Sequence, residues 1–282
     1  MGETLKRAIS GAVYVLLLLA SILYSTESFL ILFGIFLIIS IYEFCNLVQV
    51  NKTIPLISGT SIYVLIILIS NYYNFKAEDI QLLDIVLLAV TLLISIKCVV
   101  FLFDNSLQKI SNSSKYIYLL GYITLPFIFI TKISFGIKNY NPKIIIGLLI
   151  LIWTNDTFAY IVGKSIGKHK LFEKISPKKT IEGFFGGLIF AIFAGYLISM
   201  YLIKPSTQFS DKSILIWMII AAIVGVMGTI GDLIESKFKR IAGVKDSGKI
   251  MPGHGGVLDR LDSVIFVAPF IFLFYKILYY VS

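Results

Sequence analysis

Apolar runs of 17 or more residues recur along the whole chain, near 8–25, 28–45, 54–72, 82–103, 117–133, 144–163, 183–203, 213–231 and 263–281. A helix of roughly that length crosses the hydrocarbon of a bilayer, and only helices or closed barrels do so with every backbone group paired. The runs are continuous rather than alternating, which predicts helix over barrel. The expected fold is all-α, a polytopic integral membrane protein with about nine transmembrane helices. Composition points the same way: 57% of residues are hydrophobic and 15% charged, where a soluble domain carries about a quarter charged. The first run, behind Lys6 and Arg7, lacks a following small-residue cleavage site, and a second span comes almost at once. An uncleaved helix is therefore expected there rather than a secretory signal.

Sidedness follows the cations. Of 25 Lys and Arg, 17 lie at the N-terminus and in the loops at 46–53, 104–116, 164–182 and 232–262, against 6 in the alternate loops. The positive-inside rule places the N-terminus and both long basic loops in the cytoplasm, and an odd span count puts the C-terminus outside. The net charge of +9 sits outside the hydrocarbon and favours anionic partners. Cys45 and Cys98 lie far apart in apolar runs, which argues against a disulfide framework or thiolate metal site; two His argue against a His-rich one.

Each carboxylate within a span costs about 2.5–3.5 kcal/mol on insertion scales and needs a reason. Asp156, in ILIWTNDTFAYIVG, is either a packing carboxylate bonded to Thr154, Asn155 or a lysine, or a ligand. Asp232 follows GVMGTIG at the end of the eighth span, where a helix C-terminus disfavours an anion unless a cation or basic partner meets it. Leu233, Ile234, Phe238 and Ile241 continue at helical spacing, so the helix alternatively runs on along the membrane surface, with Asp232 and Glu235 on one face. Asp259 and Asp262, in HGGVLDRLDS, share a face where the last span opens; the plain alternative is an N-cap with a neighbouring first-turn acid, an equally good reading of Asp262 taken alone. Four carboxylates on three helices approach the same half of the membrane, and hard oxygen donors in that number suit Mg²⁺ with substrate phosphates.

The 164–182 loop carries Lys164, Lys168, Lys170, Lys178 and Lys179 and runs into GFFGG. Ser176-Pro177 resembles a helix cap followed by a first-turn proline, which would set Lys178 and Lys179 beside a helix N-terminus, an anion site. His169 is expected to be a solvated loop residue. In the 232–262 loop, Lys237, Lys239, Arg240, Lys245, Lys249 and Arg260 alternate with acids, a pattern that suits a metal–polyphosphate complex. Pro252-Gly253-His254-Gly255-Gly256 is a tight turn whose bare backbone can approach a phosphate or base.

From Ser236 to Asp262 the chain reads SKFKRIAGVKDSGKIMPGHGGVLDRLD. This closely resembles the signature of the phosphatidate cytidylyltransferase (CDP-diacylglycerol synthase) family, S-x-x-K-R, four residues, K-D, then P-x-H-G-G-x-x-D-R-x-D. Ser236, Lys239, Arg240, Lys245, Asp246, Pro252, His254, Gly255, Gly256, Asp259, Arg260 and Asp262 fall on it without a gap. NDTFAYIVGKSIGKHK and SPKKTIEGFFGG resemble an upstream stretch of the same family, with Phe158 and Ile181 standing where a small residue and Trp are expected; Met251 takes a Leu, Ile or Phe slot.

The resemblance implies transfer of the cytidylyl group of CTP to phosphatidate, giving CDP-diacylglycerol and pyrophosphate. It reads the chain as a single membrane domain over 1–282, with N-terminal spans in 1–143 and catalytic spans in 144–282. A lipid phosphate is already an anion, so no Ser, Cys or His nucleophile is needed; positioning and charge stabilisation carry such transfers. On this reading Asp232, Asp246, Asp259 and Asp262 bind metal, with Asp156 deeper. Lys239, Arg240, Lys245 and Arg260 contact phosphates, and His254 orients a phosphate or the turn. Ser176, Lys178, Lys179, Thr180, Ser236, Gly255 and Gly256 bind substrate. The cofactor is Mg²⁺, with a second metal left open. The partners are CTP, phosphatidate and membrane lipid, with no nucleic acid and a homodimer left open; the site faces the cytoplasm from the inner membrane. Two rivals are a CTP-dependent lipid (polyprenol-type) kinase and a cation-coupled transporter, though transporters often show internal repeats and none is visible.

Overall fold

Each apolar run becomes a helix because a backbone in hydrocarbon has only its own chain to bond to. In the computed structural model of the chain, residues 3–71, 77–104, 110–135, 140–203 and 210–281 are described. Their order is α1 (Glu3–Tyr24), α2 (Thr26–Val48), α3 (Thr53–Asn71), α4 (Ala77–Phe103), α5 (Asn112–Tyr118), α6 (Leu125–Ile133), α7 (Pro142–Ile166), β1 (Lys170–Phe172), β2 (Ser176–Thr180), α8 (Ile181–Leu197), α9 (Ser210–Ile241) and α10 (Leu258–Val281). A π-helical turn over Leu119–Thr124 fuses α5 and α6 into one span. Thr124 Oγ1 donates to Leu119 O, five residues back, at 2.9 Å, and the wide turn leads into Pro126, which has no N–H for a normal ladder. Among the described residues nine helices are long and apolar enough to cross a membrane, as the sequence predicts.

The centre of the bundle is the α5–α6 span, 78% buried, and α2, 61% buried; α1, at 11%, lies on the rim. α7, α8, α9 and α10 pack beside it, and glycines set their spacing. A Cβ on Gly187 of α8 would sit 2.6 Å from the Asn155 carbonyl oxygen of α7. Because that obstacle is backbone, Gly187→Ala must push the helices apart; it is expected to cost about 1–3 kcal/mol, read as a lower melting temperature in detergent.

Two expectations need correction. The segment after Asp232 is neither loop nor surface helix: α9 runs unbroken to Ile241, so the true connection is 242–257. Its apolar face is inward, with Leu233, Ile234 and Phe238 buried. The Phe238 ring meets Phe44, Phe101, Tyr118 and Tyr122 at centroid distances of 4.8–5.6 Å, and burying one such ring is worth about 1.5–3 kcal/mol. Lys237, also buried, bonds the carbonyl oxygens of Phe101 and Asp104 and so caps the end of α4. The helix stops in a Schellman turn, Val244 N to Lys239 O at 2.9 Å and Gly243 N to Arg240 O at 3.1 Å, with Gly243 at φ +70°.

The Ser176–Pro177 cap does not form either. Ser176–Thr180 is a strand, antiparallel to β1 with Lys170 opposite Thr180 and Phe172 opposite Ser176, a small exception to the all-α fold. α8 starts at Ile181 with Thr180 as its cap, Oγ1 accepting Gly183 N at 3.1 Å. His169 is exposed, but its ring pairs with Glu182 in the first turn of α8 at 2.6 Å, which ties the hairpin to that helix.

Candidate active site

The site gathers where β2, α7, α9, α10 and the 242–257 connection meet. Asp232 and Glu235 are one helical turn apart on α9, and the opening turns of α10 bring Asp262 against them. One carboxylate oxygen from each lies within 4.8 Å of the other two. Asp232 is met by Lys179 at 2.5 Å and by the Ser236 hydroxyl at 3.2 Å. Glu235 has no solvent exposure; Lys239 is its ion-pair partner, yet neither of its oxygens has a well-aligned hydrogen bond. Among the described residues, the one hydrogen bond to the Asp262 side chain comes from the next backbone N–H, Ser263, at 2.7 Å.

Asp259 is placed differently. One oxygen takes the Lys239 ammonium at 2.7 Å; the other accepts Ser247 N and Ser247 Oγ, each at 2.8 Å, and Gly256 N at 2.7 Å. It therefore staples the connection to the start of α10. Asp246 is exposed beside it and stands outside the three-carboxylate group. Asp156 on α7 borders that group, within electrostatic reach of Asp232, Lys179 and Arg260.

The basic residues divide the same way. Lys179 and Lys239 are bound to the acids, whereas Lys178, Lys245 and Arg260 are exposed at the rim, Arg260 with one nitrogen on the His254 carbonyl at 3.0 Å. Arg240 donates to Ile175 O at 3.2 Å and Val244 O at 3.0 Å, joining the hairpin to the end of α9. Ser176 is half-buried in β2, and Thr180 is turned inward as a cap. Gly255, at φ +86°, lies where a Cβ would come within 2.6 Å of the Asp259 carboxylate, so only glycine lets that oxygen reach the turn.

Sequence reasoning passed over several residues. Glu235 was visible as the i+3 neighbour of Asp232. The Tyr122 hydroxyl and Asn155 Oδ1 are buried without hydrogen-bond partners among the described residues, and Tyr122 lies within electrostatic reach of Glu235, Asp262 and Asp232. Ser10 of α1 places its hydroxyl 2.8 Å from Pro252 O and 2.8 Å from His254 Nδ1. The same hydroxyl lies 3.1 Å from Arg7 O, and the imidazole tautomer sets whether Nδ1 donates to Ser10 or accepts from it. Burial, then the charges of Arg260 and Arg7, hold the His254 imidazole below its ordinary range, so it is neutral at pH 7. Glu43 of α2 is a lone acid in an apolar run, the same signal as Asp156. It is buried, and it accepts Val257 N at 3.2 Å and Leu258 N at 2.8 Å.

The donor set fits a hard divalent cation. Asp232, Glu235 and Asp262 offer only oxygens, two lysines contact the acids of the site, and neither Glu235 oxygen has a well-aligned hydrogen bond among the described residues. Three grouped carboxylates against two lysines, one of them shared with Asp259, leave negative charge that a divalent cation would balance.

The chain is similar to known proteins over most of its length. The profile of the cytidylyltransferase family matches residues 5–278. The phosphatidate cytidylyltransferase of Bacillus subtilis is 32% identical over 282 residues, spanning 96% of this chain and 97% of that protein. Those of Staphylococcus epidermidis (44% over 134 residues, 47% of this chain and 48% of that protein) and Staphylococcus haemolyticus (48% over 122 residues, 43% and 44%) are similar over shorter stretches. With a match over nearly its whole length and the Ser236–Asp262 signature set around one acidic centre, this chain belongs to the cytidylyltransferase family.

Proposed function

We propose that this protein transfers the cytidylyl group of CTP to phosphatidate, releasing pyrophosphate and leaving CDP-diacylglycerol in the membrane. One juxtaposition carries the reading: the three grouped carboxylates of Asp232, Glu235 and Asp262 edged by Lys179, Lys239 and Arg260, in a chain whose relatives bear that name. A phosphate oxygen of the lipid attacks the α-phosphorus of CTP, and the bond to the pyrophosphate oxygen breaks. Asp232, Glu235 and Asp262 would hold Mg²⁺, with Asp156 beside them; bound there, the ion neutralises phosphate oxygens and charge on the departing pyrophosphate. Lys179 and Lys239 fix the carboxylates. Lys178, Lys245 and Arg260 offer exposed cations to the triphosphate. His254, neutral and held by Ser10, orients the turn beneath them.

Label placement tests this reading. Purified protein given phosphatidate, Mg²⁺ and CTP labelled at the α-phosphorus should move label into lipid, while γ-label should leave as pyrophosphate. Lipid labelled from the γ-position instead would identify a kinase.

The basic connections face the cytoplasm, where CTP is found; the excess of Lys and Arg on that side supports this. With buried Cys45 and Cys98 replaced, single cysteines at exposed Lys170 and Lys249 should resist an impermeant thiol reagent in intact cells and react after lysis. Labelling of both before lysis would reverse the topology.

A further inference from the structure

We infer that Glu43 is a positioning residue for this reaction: from the second span it holds the 247–258 segment shut against α10, and through that segment it sets Asp259 and Lys239. The inference rests on the transfer reaction proposed above. Two successive amides at the start of α10 point at the Glu43 carboxylate, Val257 N to Oε1 at 3.2 Å and Leu258 N to Oε2 at 2.8 Å. These are orphan donors of a helix N-terminus, which an anion suits. The Ser247 hydroxyl lies 3.4 Å from Oε2 and 2.8 Å from Asp259 Oδ2, so one serine spans both acids. Glu43 and Asp259 thus grip the same segment, and Asp259 passes the constraint to Lys239 at 2.7 Å.

The segment is shaped around this carboxylate. A Cβ on Gly248 or on Gly256 would overlap the Glu43 oxygens, so a side chain at either position would have to displace that carboxylate. Glu43 itself is 1% exposed. It therefore acts through the segment rather than by touching substrate.

Glu43→Gln is the discriminating variant because it keeps the size of the side chain. Each oxygen of Glu43 accepts a backbone N–H, so one of the two amides would face the NH₂ of glutamine, donor against donor. Hydrogen exchange at the Val257 and Leu258 amides should speed up, while peptides from the middle of α9 stay as protected as in the wild type. Among folded molecules kcat should fall by about 10-fold to 10²-fold with KM for CTP held within about three-fold, the signature of a misplaced site rather than lost binding. A merely structural role would reduce the folded fraction at unchanged kcat per folded molecule.

Gly248→Ala attacks the same contact from the segment side, leaves the charge in place, and should reproduce both effects where Glu43→Gln folds poorly. Combined with Asp259→Asn, Glu43→Gln should add little further loss in kcat, because both grip one element. Slow exchange of Val257 and Leu258 in Glu43→Gln, or a kcat within about two-fold of wild type, would overturn the inference. Wild-type protein that turns over no CTP with phosphatidate would refute the reaction instead, and the exchange measurement would still decide whether Glu43 clamps the segment.

Discussion

Asp262→Asn is expected to slow cytidylyl transfer by about 10²-fold or more and to leave the fold intact. The asymmetry comes from what the side chain touches. Among the described residues its one hydrogen bond is from the adjacent Ser263 amide, which an asparagine oxygen keeps. Its charge stands against Asp232 and Glu235, so neutralising it relieves repulsion rather than removing an ion pair. A charge near a helix N-terminus that served only stability would be worth about 0.3–1 kcal/mol. A cation ligand acting in the transition state is worth several times that, hence the predicted factor. Initial rates across a Mg²⁺ titration, with melting temperature in detergent taken on the same preparation, separate the two. A variant as stable as wild type that keeps its rate and its Mg²⁺ dependence would remove Asp262 from the metal set. Asp259→Asn is the less informative experiment: with four donors on its carboxylate, lost order would imitate lost chemistry.

Lys239→Met should have the largest effect on stability. The ammonium lies between Glu235 and Asp259, all three nearly closed to solvent. Removing the shared cation strands two carboxylates where water cannot replace it, and breaking a buried pair of this kind costs about 3–5 kcal/mol. The methionine fills most of the volume, so the loss reports charge and not a cavity. Thermal unfolding should show a large drop, and Glu235→Gln in the same chain should recover part of it without recovering activity. A melting temperature within about 2 °C of wild type would show that the acids have another counter-ion.

The spans were legible because a bilayer allows one solution for a long apolar run, and the motif was legible because its acids, glycines and cations are close in sequence. Legibility failed where partners are distant. The periodicity of Leu233, Ile234 and Phe238 announced an amphipathic helix but not which surface would cover it; α2, α4 and α5 do, with rings from Phe44, Phe101 and Tyr118. Ser176-Pro177 has the chemistry of a cap, yet the hairpin needed those residues as a strand and passed the cap to Thr180. Spacing brought Asp232, Asp259 and Asp262 to one end of the bundle. It could not say that Asp259 would be consumed by Ser247 and Gly256, or that Glu235 would join Asp232 and Asp262.

Glu43 enters the membrane long before anything can bond to it. Its partner Leu258 lies 215 residues further along the chain, which at about 5–20 residues per second of synthesis is a wait of roughly 10–40 s. Throughout that interval the second span carries an acid whose protein donors, Ser247, Val257 and Leu258, have yet to be made. It lies five positions before Val48, where the helix ends, close enough for the carboxyl to reach the water interface until α10 arrives. Placed two turns deeper, the same residue would have to cross as a neutral acid or stall insertion. The depth of Glu43 is thus constrained by the order of synthesis as well as by the finished bundle, and the gripping of the segment before α10 must wait until that segment has been made.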